Sequence, residues 1–346
     1  MKTVRVMLVD DHTLFRRGLA ELLHGRNGIE VVAATAGATE AARLMQEQNI
    51  ECRWVLDATD LDQWATKIDK HTRFLYGELP SNPQLGFFDI KAVADLAHSH
   101  NLPLICDSTI ATPALLRPIC HGADVVVQSA TKSLTTSGFG VCGAVIARKN
   151  LVTTIDDEQL KTDFSLHIKY QQNRDFGPNL HPMQAVLTLN DMRTLRSKMD
   201  LMSRNTMKVA RFLEEHPLVE SVQYLGLPNH PLHDLASRYM WLVDAEYDEQ
   251  YGKPVNRYGH LLSFCVKGGM HKTRQFFDAL QRIWRATDLG RIKSVATIPA
   301  ISTHQQQGAE GRALANIPAN MVRLCVGAEH PIDIIADLDQ ALHRAK

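Results

Sequence analysis

The sequence lacks most of the signatures that would name a function at once. None of its six cysteines stands in a CxxC pair and none of its 16 histidines belongs to an HExxH arrangement, so no metal is expected. Neither sign of charge is in excess. Lys plus Arg and Asp plus Glu both count 38, which removes any global electrostatic argument for nucleic acid or for an anionic membrane. No apolar run approaches the roughly 20 residues that a membrane span requires. Asp10 and Asp11 interrupt the first apolar run, which speaks against a secretory leader. There is no internal repeat and no low-complexity tract. Several of Cys52, Cys106, Cys120, Cys142, Cys265 and Cys325 sit inside apolar runs, and reduced, buried thiols in a cytoplasmic setting are expected.

What is present is a regular alternation. The 346 residues, 45% of them apolar, suffice for two or three domains around a buried core. VRVMLV (residues 4–9) reads as a buried strand and residues 14–23 as a helix with one apolar face. GIEVVAA (28–34) is a second strand, residues 38–48 a second helix, and CRWVLD (52–57) a third strand. RFLYGE (73–78), PLICD (103–107), DVVVQSATK (124–132) and VCGAVIA (141–147) continue as strands, with helices over 90–98 and 114–120. Strands alternating with helices predict a parallel sheet covered on its faces.

The rhythm then changes. Residues 181–215 read as one or two long helices, with Pro182 near the start and Pro217 past the end. Strands are expected over 219–224, 260–266 and 321–327, and helices over 273–284 and 332–344. Two polar stretches, 247–258 and 303–318, read as long loops of the kind that often carry function.

Ligands in open α/β sheets bind at the carboxyl ends of the strands. Two such ends carry suggestive groups: Asp107 after PLIC, and Ser129-Ala130-Thr131-Lys132 after DVVV. A pyridoxal phosphate site needs a lysine to meet the carbonyl, a carboxylate facing the pyridine nitrogen, and hydroxyls or amides for the phosphate. Taken singly, each residue has a bland reading. A lysine after a strand is ordinarily solvated, an aspartate there ordinarily caps a helix, and Ser and Thr are ordinary turn formers.

The motifs in combination say more. ELPSNP, CDSTIATP, HGADVVVQSATKS and RLCVGAEHP, in that order, resemble the Cys/Met-metabolism family of PLP enzymes of fold type I, over roughly residues 45–346. The resemblance implies a pyridoxal 5'-phosphate cofactor. It matches Lys132 to the Schiff-base lysine, Asp107 to the partner of the pyridine nitrogen, and Ser129 and Thr131 to the hydroxyls at the phosphate. Asn82 matches the residue near the phenolic oxygen, with Glu78 a carboxylate close by. Arg323 matches the arginine that clamps the substrate carboxylate, and Ser294 falls where a second carboxylate contact is placed. His304 falls in the substrate-side loop, where a loop histidine without a ligand role is the default.

The first 44 residues do not fit that pattern. The family's Tyr-x-Arg arm is not found, nor is an aromatic residue following a Gly-rich turn that could stack on the pyridine ring. VRVMLVDDHTLFRRGL instead resembles the start of a response-regulator receiver domain, where Asp10 and Asp11 match the acid pair that binds Mg²⁺. Asp57 has the separation of a receiver phosphoacceptor, yet WVLDATDLDQW also suits the PLP family. No helix-turn-helix segment follows, which speaks against nucleic-acid binding.

The expected architecture is α/β. Residues 1–44 form a receiver-like βαβα segment, 45–215 a partial PLP-binding domain with a doubly wound, mostly parallel sheet, and 216–346 a smaller α+β domain. The expected activity is γ-replacement, adding sulfide or a thiol to an O-acylated homoserine, with γ-elimination as the close competitor. The alternative is an inactive chimera or a receiver-like interaction protein. An amino-acid substrate and a homo-oligomer, dimer or tetramer, are the partners that the resemblance implies.

Overall fold

The structure is a computed structural model that describes residues 4–9, 29–35, 51–177 and 179–346. The chain gathers into two compact units, Met1–Leu56 with Ile298–Ala319 and Asp57–Thr297 with Asn320–Lys346.

In the first unit, β1 (Val4–Val9) pairs in parallel with β2 (Ile29–Thr35), with a register shift between Val6 and Met7. Both strands fall where the apolar runs predict. The helices expected over 14–23 and 38–48, and with them Asp10 and Asp11, lie outside the described residues. Residues 52–57 do not form the expected third strand, and Trp54 and Leu56 stay 63% and 70% exposed. The run has strand composition, but a strand exists only where a neighbouring ladder takes its N–H and C=O groups. The stretch 303–318, expected as a loop, contains a 3₁₀ turn at Gln305–Gln307 and a helix at Gly308–Leu314. Ala309, Glu310, Arg312, Ala313 and Leu314 are good helix formers, and their polarity disguised the element.

The second unit holds two sheets. The first runs β3 (Leu75–Glu78), β4 (Leu104–Asp107), β5 (Val125–Ser129), β6 (Gly143–Ala147). The first three are mutually parallel and β6 returns antiparallel to β5. Leu104, Cys106, Val125 and Val126 are buried, which holds the centre of this sheet out of water. Glu78 pairs with Asp107 in the register, and Asp107 with Val127, so acidic and hydroxyl residues gather at one sheet edge, the carboxyl ends of three strands.

The crossover from β3 to β4 is the helix Ile90–Ser99. Asp89 caps it by accepting from the Ala92 amide at 3.0 Å, and Ile90, Val93, Ala94 and Ala97 bury one face at helical spacing. Each large apolar side chain so buried stabilises the fold by about 1.5–3 kcal/mol. Val93→Asp would place a charge inside that face. Just before β5, the fully buried Asp124 accepts from the Leu104 amide at 2.8 Å and pairs with His98 at 2.8 Å, fixing the start of β4. The single helix expected over 114–120 is two pieces, Thr112–Leu115 and a 3₁₀ turn Pro118–His121. Pro118 disfavours helical backbone at the residue before it, and Arg117 is accordingly non-helical with φ −125° and ψ 82°.

The helices Pro182–Met192 and Leu195–Glu215 fill the expected long helical region, with proline in the first turn of the former. The second sheet follows in the order β7 (Val219–Gln223), β8 (Leu261–Val266), β11 (Met321–Cys325), β10 (Val295–Thr297), β9 (Trp284–Arg285). All six residues of β8 and all five of β11 are buried. The helix expected over 273–284 is Gly269–Ala279, and Trp284 belongs to β9. The chain leaves the helix because the buried carboxylate of Asp337 accepts from the amides of Gln281, Arg282 and Ile283 at 2.8–2.9 Å. The helix Pro331–Arg344 completes the unit.

All six cysteines are free. Cys106, Cys265 and Cys325 are buried as expected, whereas Cys120 is exposed on the short turn before β5. Among the described residues no helix is long and apolar enough to cross a membrane.

Candidate active site

The carboxyl ends of β4 and β5 are laced together by their own side chains. Asp107 Oδ1 accepts from the Thr109 amide at 2.8 Å, and Thr109 Oγ1 accepts from the Ser129 amide at 2.8 Å. Between them, the Ser108 hydroxyl is buried with no hydrogen-bond partner among the described residues. Glu78, opposite Asp107 on β3, accepts from the Asn82 amide at 3.3 Å. Burial pushes the Glu78 carboxyl up to about 7, against the pull of that amide, and the charge of Asp107 adds to the rise.

Lys132 does not lie on the strand as the sequence suggests. β5 stops at Ser129, and Lys132 sits in a π turn, Ala130–Leu134, with non-helical backbone at φ −92° and ψ −120°. The turn is fixed on every side. The Thr131 amide donates to Cys142 O at 3.1 Å, and Thr131 Oγ1 accepts from the Cys142 amide at 3.0 Å. Thr135 Oγ1 donates to Ala130 O at 2.6 Å. Ser133 and His260, both fully buried, share a hydrogen bond of 2.8 Å between Oγ and Nε2. Burial, with the nearby Arg323 charge, pushes His260 down to about 4 and keeps that imidazole neutral. At the free end of the side chain, Lys132 Nζ lies 3.2 Å from Asp288 Oδ1.

Arg323 stands in the middle of β11, between Ser263 on β8 and Thr297 on β10, and is only 1% exposed. Its Nη2 donates to Thr287 O at 2.7 Å and to Asp288 O at 2.8 Å, and its Nη1 reaches Asn82 Oδ1 at 3.5 Å. Its Nε is buried with no partner among the described residues. The ELPSNP turn is tied to the second sheet by Ser263 Oγ, which donates to Pro83 O at 2.7 Å. The fold thus links Glu78, Asn82, Arg323, Asp288 and Lys132 in one chain of contacts.

Ser294 takes a different place from the one the resemblance gives it. It is 0% exposed, and its Oγ donates to Glu329 Oε2 at 2.9 Å while accepting from the Gly327 amide at 2.9 Å. No lone hydroxyl is left over there to meet a ligand. Thr131 is similarly committed to Cys142. Asp57 is an exposed turn residue that accepts from the Thr59 amide and hydroxyl at 2.9 and 2.6 Å, and the Thr59 hydroxyl foremost holds its carboxyl below the usual range. His304 belongs to the first unit, where its Nδ1 meets Thr303 Oγ1 at 2.8 Å.

Reading the sequence alone missed Asp288, Arg291, His260 and Glu329. Asp288 and Arg291 are three residues apart in ATDLGRIKS, a charge pair that could have been noticed but not placed beside Lys132. The sequence also shows no metal motif, yet His216, Asp339 and His343 bring their ligand atoms within 4.8 Å of one another. There the Leu218 amide donates to His216 Nδ1 at 3.2 Å, which puts the imidazole proton on Nε2, facing Asp339. A metal ion on Nε2 would send that proton to Nδ1, which already accepts from the Leu218 amide.

A primary amine, a pair of strand-end carboxylates and a buried guanidinium, carried on turns and strands of an α/β chain, mark a site for a carbonyl compound and an acid. The Cys/Met metabolism PLP-dependent enzyme model matches residues 33–343, and the chain belongs to that family. The match starts at residue 33, ahead of the boundary expected at residue 45. The chain is 37% identical over 288 residues to the L-methionine gamma-lyase of Pseudomonas deceptionensis, covering 83% of this chain and 65% of that one. It is 35% identical to the O-succinylhomoserine sulfhydrylase of Pseudomonas aeruginosa, covering 82% of this chain and 63% of that one. This chain therefore spans a little under two thirds of the length of these relatives. A Campylobacter jejuni structure named as an O-acetylhomoserine (thiol)-lyase, solved with N'-pyridoxyl-lysine-5'-monophosphate in its chain, superposes with a TM-score of 0.77 at 30% identity. It covers 99% of this chain and 77% of that one.

The residues present fit a pyridoxal phosphate. Lys132 has a part-exposed amine, Asp107 keeps one carboxylate oxygen beyond its bond to Thr109, and the orphaned Ser108 hydroxyl and Arg323 Nε are buried donors beside them in sequence or contact. The fit is poorer at the phosphate end, where the Thr131 hydroxyl is already bonded to Cys142.

Proposed function

We propose that the chain binds pyridoxal 5'-phosphate at Lys132 and acts on sulfur amino acids or their O-acylated precursors. The observation that carries this reading is the shared loop. Thr287 and Asp288 hold Arg323 by their carbonyls, while the Asp288 side chain holds Lys132. An amine for the cofactor and a cation for a substrate carboxylate are thereby kept at a set separation.

Lys132 would hold the cofactor, Asp107 would face its pyridine nitrogen, Ser129 would meet the phosphate with Thr131 bracing the turn beside it through Cys142, and Asn82 would lie near the phenolic oxygen. When bound, the cofactor withdraws electrons from the substrate Cα and so makes the Cα proton removable. Lys132 Nζ would take that proton. Arg323 attracts the substrate carboxylate through its unpaired Nε, with Asn82 beside it. Ser294 supports this end indirectly, by bracing Glu329 and the Gly327 amide. γ-Replacement on an O-acylated homoserine is the first reaction proposed and γ-elimination the second. A homo-oligomer in the cytoplasm is the proposed setting, in keeping with six free thiols.

The test is incubation of the protein with pyridoxal phosphate, borohydride treatment and peptide mass analysis. A pyridoxyl group is expected on Lys132 and none on the Lys132→Ala variant. Acetate release from O-acetylhomoserine with sulfide is then compared with thiol release from methionine. Absence of label at Lys132 refutes the reading.

A further inference from the structure

Asp288 lies 156 positions from Lys132 in sequence, and nothing in a linear reading joins them. In the fold its carboxylate is held at three points. Oδ1 accepts from the Leu289 amide at 2.8 Å and from Lys132 Nζ at 3.2 Å, and Oδ2 pairs with Arg291 Nε. The loop also lies flush on the lysine turn. Gly290 has φ +78°, and a Cβ there would come 2.6 Å from the Ser133 amide nitrogen and 2.8 Å from the Lys132 carbonyl carbon. The same loop thus touches the side chain of Lys132, its backbone, and, through two carbonyls, Arg323.

We propose that Asp288, anchored by Arg291, is the positioning residue for Lys132. It holds Nζ at the strand-end edge through their ion pair and must release it before the amine can attack a carbonyl carbon. This rests on the reading of Lys132 as the cofactor lysine. Only an unprotonated amine that is free to turn can direct its lone pair at a carbonyl carbon, so the pair must open first and its strength sets how readily the amine reacts. Burial would raise the Asp288 carboxyl, but Arg291, the Leu289 amide and Lys132 together hold it below the usual range, so it stays an anion at neutral pH. The side chains of Lys132 and Asp288 remain 32% and 29% exposed, which leaves the pair free to open at modest cost. Asp288 therefore holds the lysine in place without locking it. Its carbonyl contact with Arg323 is independent of its side chain, so the two functions separate by substitution.

The test has two arms on the full chain. In the first, trace acetic anhydride acetylates the lysines, and peptide mass analysis reads Lys132 against the exposed lysines of the same molecule. Asp288→Asn is expected to raise the relative rate at Lys132 roughly three-fold, the size of a part-exposed ion pair. Asp288→Glu should restore slow reaction, and Arg291→Gln should give a smaller rise. In the second arm, the rate of borohydride-fixed pyridoxyl incorporation at Lys132 should follow the same order. An unchanged acetylation rate at Lys132 in Asp288→Asn overturns the proposal. A raised acetylation rate with no pyridoxyl label in any variant supports the positioning and refutes the cofactor reading. If Asp288→Asn melts early, the Arg291→Gln variant reads the same contact with the carboxylate in place, and no rise there overturns the proposal.

Discussion

Lys132 Nζ lies 3.2 Å from Asp288 Oδ1, while the carbonyl of that same aspartate accepts from Arg323 Nη2 at 2.8 Å. One residue therefore holds the amine by its side chain and the guanidinium by its backbone. The distance between the two cations is set by a loop, and that loop is braced against the lysine turn at Gly290.

Gly290→Ala should disturb the lysine turn directly. The added Cβ would meet backbone atoms of Lys132 and Ser133 closer than 3.0 Å, and alanine at φ +78° is strained whatever the space. A loss of roughly 1–3 kcal/mol in unfolding free energy is expected. Pyridoxyl incorporation at Lys132 should fall beyond what the stability loss explains. Denaturant titration and label stoichiometry on the same sample check this, and wild-type values for both would remove the brace.

Arg323→Lys keeps the charge and loses the fork. One ammonium cannot serve the Thr287 and Asp288 carbonyls and still present a donor towards Asn82 as the guanidinium does. Stability should fall by about 1–2 kcal/mol. KM for a carboxylate-bearing substrate should rise several-fold while kcat changes less, because the lost contact is made equally in the ground and transition states. Steady-state kinetics on the holoenzyme decide it, and an unchanged KM would falsify the assignment of Arg323 to the substrate carboxylate.

Glu78→Gln should change how stability varies with pH. The Glu78 carboxyl, raised to about 7 in the folded chain, ionises near 4.5 once unfolded. Between those values the unfolded chain has given up a proton that the folded chain retains, so stability falls as pH rises. Above about 7 the loss is complete. Glutamine removes this dependence, and the variant should gain on the wild type by an amount of order 1 kcal/mol at pH 8, with little difference at pH 4. Unfolding curves at the two pH values check the sign. A gain at pH 4 instead would mean that the raised carboxyl has been misplaced.

Several elements were legible because their cause is local. Asp89 before an apolar face at positions 90, 93, 94 and 97 predicts the helix that forms there, and VVV after Asp124 predicts β5. Lys132, Asp107, Asn82 and Arg323 were picked out by residue type and motif order. What they touch was not. Ser294 and Thr131 were expected to have hydroxyls to spare, and both spend them on neighbouring chain. CRWVLD has strand composition but gains no ladder, and the polar stretch after Thr303 hides a helix.

By itself the sequence determined the alternation of strand and helix, the order of the family's motifs and the identity of the chemical groups at the strand ends. These follow from side-chain period, capping chemistry and residue type, which act over a few residues. The tertiary structure alone decided that Asp288 meets Lys132, that Arg323 is buried with its Nη2 committed to two carbonyls, and that His260 holds Ser133 beside the lysine. Those contacts join residues 35–156 positions apart. They exist because two sheets of one compact unit bring their loops together, and no pattern along the chain carries that information.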